Sequence, residues 1–580
     1  MSPARTPAAR SVEPRSPDPR VLLAVASTAV ALAAADTYVV VLALTDMMEG
    51  VGLTLDSLQR ATPIISGFLL GYIAVLPLIG RLADIVSRSR ILLVCMSLFI
   101  LGSGVTALAV DLDVLVAGRV VQGIGGGGLV PATLAIVADL WPVGRRGVPL
   151  GVVGAVQEVG SVIGPVLGAA VLAVADWRAI FWLNVVLGIV LAVVLAVITR
   201  GSEQQPGPPP AAATGRTGLW GGVLGALAVA TLWLALAAPR ALASDVTLGI
   251  PFVPFGSASH RLLTPIGVLA LVLGVVALAL TRHRWWPPLR SGDLLGALLL
   301  GTALGCVVLT FAAANPEEEV VGPLGYALLP VAVLATVLYV WRHRTAADPL
   351  VPRGTFTGRM PWALAVSLLV GVALVSVIVD VPLLARLTTD GGQTHAAMVL
   401  VRFLVAVPVG AFLGGWLLSR LGAGYVAGAG LALMAVGLGV MSTWGQDSLD
   451  QTVSVTVVLV AVGLGAGLAL APVNDAALAD SPEHAHGTAS SLVVVARMIG
   501  MVVGLALLTG IGLNRYYAAI DALPPEQRTS GAALIETAMI QVETVFLGAA
   551  LAAGVGAVVA LLTLGRVPER VRREGRAAGL

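Results

Sequence analysis

Charge is what this chain has least of. Only 11% of its 580 residues are Asp, Glu, Lys or Arg, against about a quarter in a soluble globular domain, and that shortage excludes an ordinary water-soluble fold. Lysine is missing altogether, so all 34 basic residues are arginine. The glycine run at 125–128 therefore lacks the Lys-Ser/Thr ending of a phosphate-binding loop, and no other ATP motif is present. Cysteine is almost absent too. Cys95 and Cys306 lie in separate apolar stretches, which argues against a disulfide or a thiolate metal site. His484 and His486 form an H-x-H pair with no Cys or carboxylate cluster around it, so no metal centre is expected there.

What is present is apolar. Hydrophobic residues make up 57% of the chain and its mean hydropathy is +0.95. About sixteen apolar runs, each roughly 18–27 residues long, are sufficient to cross a hydrocarbon core of about 30 Å as helices. The expected fold is therefore an all-α polytopic membrane protein, rich in the small residues that let helices pack closely in lipid. An even number of spans puts both termini on one side. Most of the 34 arginines fall in segments on that side, which predicts cytoplasmic termini in a cytoplasmic (inner) membrane. The Pro- and Arg-rich start leads straight into a full-length span, which predicts an uncleaved first helix rather than a signal peptide.

Punctuation divides the spans six, four and six. A tail over 1–20 precedes a six-helix bundle over 21–199, and a Pro/Gly/Ala linker with Pro208, Pro209 and Pro210 covers 200–217. Four inserted helices follow over 218–345, then a linker over 346–360, a second six-helix bundle over 361–566 and a tail over 567–580. The inserted four have the pattern of a duplicated hairpin. Leu224-Gly225-Ala226-Leu227 recurs as Leu295-Gly296-Ala297-Leu298, and Arg282-His283-Arg284 recurs as Arg342-His343-Arg344. None of these four carries a central charge, so they are expected to face lipid as accessories. Residues 514–541, before the last span, make either a loop capped by helix extensions or a rigid projection that engages substrate or a partner.

Six charges break the apolar runs: Asp36, Glu158, Asp380, Arg119, Arg402 and Arg497. An ionised group at the bilayer centre costs roughly 2.5–3.5 kcal/mol on the insertion scale, so each is a candidate functional residue. A carboxylate in a low-dielectric cavity favours its proton, and a nearby arginine opposes that preference. Arginine itself does not release a proton, so it acts as a fixed switch. Asp36, Glu158, Arg497, Asp380 and Arg119 are the expected proton-coupling set. For Arg119 a proton relay and a structural hydrogen-bonding role stay open, and for Arg402 snorkelling or local pairing is the expectation.

Several motifs carry a family resemblance. Gly80-Arg81-Leu82-Ala83-Asp84, followed by Arg88 and Arg90, resembles the G-x-L-A-D-R-x-G-R-R loop of the major facilitator superfamily, with Ile85 in place of the usual arginine and Ser87 in place of glycine. Its logic is a gate, in which an anion binds the positive end of a neighbouring helix in one conformation only. Arg119-Val120-Val121-Gln122-Gly123 resembles the family's R-x-x-Q-G element. Gly160, Gly164, Pro165 and Gly168 resemble its antiporter motif, and Asp36-Thr37-Tyr38-Val39 resembles an element of its drug:proton antiporters with fourteen spans. The stretches around Asp36, Gly71, Glu158 and Arg497 further resemble the mycobacterial exporters of triacylglycerides and drugs. On that resemblance the fold has two six-helix bundles with four additional central helices. The function implied is proton-coupled export of hydrophobic or amphipathic molecules, lipid or drug, with the proton gradient as energy source and no cofactor. Asp36, Glu158 and Arg497 would form a coupled charge set, and a periplasmic lipoprotein would be a possible partner. The alternatives are a general multidrug efflux pump without a lipid role and a non-transporting membrane sensor. An enzyme is not expected, because no nucleophile, base or metal constellation stands at a membrane face, and nothing suggests nucleic acid.

Overall fold

With no water in the hydrocarbon core, every backbone donor and acceptor must be satisfied within the chain, which leaves the apolar runs only the helix. The computed structural model describes residues 18–565 except 54–57, 143, 200–215, 244, 246–248, 256–260, 313–324, 389–391, 447, 525–526 and 529. The expected tails therefore lie almost wholly, and the first linker mostly, outside the described residues. Sixteen helices in the described residues are long and apolar enough to span a membrane.

The first six are α1 (Pro19–Gly50), α2 (Leu58–Ile85), α3 (Arg88–Leu108), α4 (Leu112–Leu140), α5 (Gly147–Leu172) and α6 (Arg178–Thr199). The middle four are α7 (Arg216–Ala237), α8 (Pro265–Ser291), α9 (Leu294–Ala312) and α10 (Gly325–Thr345). The last six are α11 (Met360–Thr388), α12 (Gly392–Leu421), α13 (Ala423–Met441), α14 (Thr452–Ala479), α15 (His486–Ala522) and α16 (Gly531–Val559), the last extended by a π-helical turn, Ala560–Leu564. α1 and α7 begin slightly before the expected bundle boundaries, at Pro19 and Arg216. The Asp18 side chain caps α1 by accepting from Arg20 N at 2.9 Å.

The two outer sets of six pack by one plan. α1 lies against α5, α2 against α4, and α3 against α4 and α6. In the other half α11 lies against α15, α12 against α14, and α13 against α14 and α16. Glycine makes the first of these contacts possible in both halves. A methyl at Gly160 or Gly164 would overlap the α1 backbone at Ala31 or Ala35, and one at Gly500 would overlap the α11 backbone at Leu368. α4 is buried along nearly its whole length.

The halves meet along two seams. α2 runs beside α15, and α5 beside α12. The closest approaches, Gly80 to Gly487 and Gly147 to Gly415, all lie toward the face where α1 begins and the last helix ends, here called the terminus face. The inserted helices form two hairpins, α7 with α8 and α9 with α10. α7, α8 and α10 are largely exposed, in keeping with a lipid-facing surface. α9 differs: it lies over the α2–α15 seam, with Leu304 and Val308 joining the main hydrophobic core. Asp293 anchors this second hairpin. Its carboxylate accepts from Gly296 N at 3.2 Å, Arg342 Nε at 3.0 Å and Leu350 N at 3.1 Å. Beyond the opposite face, α15 continues through Tyr516 and Tyr517 to Ala522, and Arg528 closes the turn by donating to Asp521 O at 2.6 Å. The described residues of 514–541 are thus mainly helix extensions, α15 running to Ala522 and α16 starting at Gly531.

Candidate functional site

The gate motif sits where α2 ends. Asp84 reaches the first turn of α15, where free backbone N–H groups and the helix dipole favour an anion. Its Oδ1 accepts from Gly487 N at 2.6 Å, and its Oδ2 accepts from Thr488 N at 2.9 Å and Thr488 Oγ1 at 2.8 Å. Gly80 and Gly487 have no side chains, and that absence lets the two helices come this close. Arg88 turns the other way, to Ala135 O and Asp139 on α4. Arg90 is exposed at the start of α3. Behind the gate, Ser490 Oγ donates to Pro131 O at 3.2 Å, a further link between the halves. The terminus face is therefore shut.

Deeper in the first half lies a closed ionic site. Asp36 and Arg119 are each 1% exposed. Arg119 Nη1 donates to Asp36 Oδ2 and to Gln122 Oε1, both at 2.6 Å, and its Nε donates to Ile64 O at 3.3 Å. Asn184 Nδ2 donates to Asp36 Oδ1 at 2.6 Å, and Gln122 Nε2 donates to Ser103 Oγ at 2.9 Å. Phe68 stacks beneath the guanidinium, with Cζ 4.4 Å from the ring centroid. Five polar side chains from α1, α3, α4 and α6 satisfy one another, and such a network is costly to break at any member.

Between the halves, at the floor closed by the gate, is a narrow cavity of ≈ 20 Å³, room for a water rather than an acyl chain. Gln157 and Glu158 of α5 line it from one half; Ser367 of α11, Asn474 of α14 and Arg497 of α15 line it from the other. Glu158 lies within the field of Arg497. Gly160 and Gly164, expected from the sequence as part of an antiporter motif, hold α5 against α1 just beyond this point. Pro165 lies within the same helix, and Gly168 is buried on it.

The expected charge set thus divides. Glu158 and Arg497 share a cavity between the halves, whereas Asp36 has Arg119 as its cation, within one half. Asp380 joins neither group: it is 1% exposed, and both carboxylate oxygens are buried without a hydrogen-bond partner. Arg402 Nη1 is likewise buried and unpartnered. Sequence reasoning missed Asn184 and Ser103. Asn184 is an amide in the middle of an otherwise apolar span, which is a weak signal because it carries no charge. Ser103 offered none.

Two helical halves built on one packing plan, with ionisable groups buried in one half and facing each other between the two, define a secondary transporter. The chain belongs to the Major Facilitator Superfamily, whose family profile matches residues 26–321 and 321–505. It is a transporter and not an enzyme. Among its relatives, the triacylglyceride transporter of Mycobacteroides abscessus is 34% identical over 519 residues, covering 87% of this chain and 85% of the relative. The triacylglyceride transporter of Mycobacterium tuberculosis is 33% identical over 572 residues, covering 94% and 95%. Among solved structures, the proton:xylose symporter XylE matches with a TM-score of 0.53 at 12% identity, over 93% of this chain and 94% of its own. The human organic anion transporter MFSD10 matches with a TM-score of 0.53 at 13% identity, over 93% and 100%. These two share the fold.

Proposed function

We propose that the protein exports a hydrophobic or amphipathic molecule, a lipid foremost, across the cytoplasmic membrane in exchange for protons, with its terminus face in the cytoplasm. The observation that carries this reading is the cavity in which Glu158 and Arg497 face each other from opposite halves. When the halves rock, the carboxylate and the guanidinium separate. Glu158 then exchanges a neighbouring cation for a proton, and movement of the halves becomes movement of protons. A proton crossing the full potential supplies about 2.3 kcal/mol per 100 mV, which drives uphill transport without ATP. The relatives named as triacylglyceride transporters support a lipid cargo, as does a pathway with few fixed charges to hold a polar solute. The projecting ends of α15 and α16 are the surface that a periplasmic lipoprotein would meet.

The test uses proteoliposomes under an imposed pH gradient, with a fluorescent lipid and ethidium as cargoes. Wild type moves the lipid against its gradient only while the pH difference lasts. Glu158→Gln inserts and folds normally but loses uphill transport. Uphill movement by Glu158→Gln at the wild-type rate would remove Glu158 from the coupling. Movement of ethidium without lipid would make the protein a general multidrug exporter.

A further inference from the structure

The first helix of each half carries one acid on its inward stripe. On α1 the buried stripe runs Ala26, Ala29, Ala33, Asp36, Val40 and Ala43, and on α11 it runs Val366, Val370, Ala373, Val377, Asp380 and Leu384. The two acids meet opposite surroundings. Asp36 is held by Arg119 and Asn184, while Asp380 has apolar neighbours on its stripe and no donor for either oxygen. The helices packed against α11 are α12, α14, α15 and α16. The ionisable groups they carry are chiefly Arg402, Asp475, Arg497, Arg515, Glu536 and Glu543. Among the described residues, none forms an ion pair or hydrogen bond with Asp380.

A carboxylate stripped of water and given no donor is heavily disfavoured, and the neutral acid is the form such a site tolerates. From this we propose that Asp380 is a second proton-binding site, separate from Glu158, loaded in the conformation described here from the face opposite the termini. Depth supports this route of entry. At 1.5 Å per residue, Asp380 stands about 12 Å from the end of α11 at Thr388 and about 30 Å from Met360. The unloaded state calls for a cation that this conformation does not bring against the acid. Arg402 lies at similar depth on α12, about 15 Å from Gly392, with a buried and unpartnered Nη1. Unloading follows once the halves have rocked. It breaks the acid's O–H bond, passes the proton to water reached from the terminus face and leaves the electron pair on a carboxylate that Arg402, drawn to it by that movement, neutralises. One carboxyl in each half then binds a transported proton.

The part Asp380 plays in transport rests on the proton-coupled reading above, whereas its protonation does not. Infrared spectra of the full chain in nanodiscs at neutral pH separate the two. Wild type minus Asp380→Asn shows a protonated-carboxyl C=O band, and raising the pH removes that band from wild type but not from Arg402→Gln. A spectrum without the band overturns the proposal at its root. In proteoliposomes, Asp380→Asn carries about half as many protons per cargo molecule as wild type. An unchanged ratio would overturn the coupling role even with the band present. If Glu158→Gln also pumps normally, the failure belongs to the proposed function, and the infrared result still decides the state of Asp380. Should Asp380→Asn fold poorly, Arg402→Gln carries both measurements by itself, with a persistent band and a reduced proton count expected.

Discussion

At the scale of single residues, the balance of the Asp36–Arg119 site sets what a substitution does. Asp36→Asn removes the one negative charge from a guanidinium that is 1% exposed and cannot lose its own charge. Breaking a buried pair from one side costs about 3–5 kcal/mol, so thermal unfolding of Asp36→Asn in detergent falls sharply below wild type. The double variant Asp36→Asn/Arg119→Gln recovers most of the loss, because both charges leave together. Equal stability of the single and double variants would show that the pair is not the restraint described here. Asp36 and Arg119 stood out in the sequence because each is costly in lipid. Their partnership did not, since they lie 83 positions apart and only the packing of α1 on α4 brings them together. Asn184 was invisible for a related reason: an uncharged amide carries too small a penalty to stand out in an apolar run.

At the scale of elements, the spans and their order were legible, because length and hydropathy determine them. One contact of the expected gate motif was legible in kind as well. The motif around Asp84 called for an anion at a helix end, and the structure supplies the helix, α15, with two backbone amides of its first turn, Gly487 and Thr488, bonded to that carboxylate. What the motif did not disclose is that Arg88 serves α4 rather than the gate. Asp84→Asn retains an acceptor but loses the charge that complements the helix dipole, a loss of about 0.5–2 kcal/mol on the closed side of the equilibrium. The expected readout is faster labelling of Val153→Cys, in the floor cavity, from the terminus face. Native Cys95 and Cys306 are both buried, so background labelling is low. Labelling at the wild-type rate would mean that other contacts hold the gate. Packing of α5 on α1 leaves no such margin. A Gly160→Leu side chain has only the α1 backbone to displace, and overpacking of this kind costs about 1–3 kcal/mol or more, seen as loss of monodisperse protein on purification.

At the scale of the whole molecule, the division into six, four and six follows from linkers and hydropathy, but the unequal standing of the two inserted hairpins does not. Their sequences repeat, yet one lies at the periphery while the other covers a seam, and only the surfaces they meet distinguish them. Excision of α7 and α8, with α6 rejoined to α9 by the native linker, leaves a folded and active transporter. Excision of α9 and α10 strips Leu304 and Val308 from the core and exposes the α2–α15 seam, and that protein is unstable or inactive. Gel filtration and the proteoliposome assay distinguish the two deletions, and equal tolerance of both would contradict the packing seen for α9.

That covering helix has a mechanical meaning. α9 touches α2 of one half and α15 of the other, and among the described residues no inserted helix packs extensively on α5 or α12. Two halves spanned by a common strip along the α2–α15 seam depend, along the α5–α12 seam, on their own packing alone. Glu158 rides on α5, so the proposed coupling site sits beside the seam that no third element clasps.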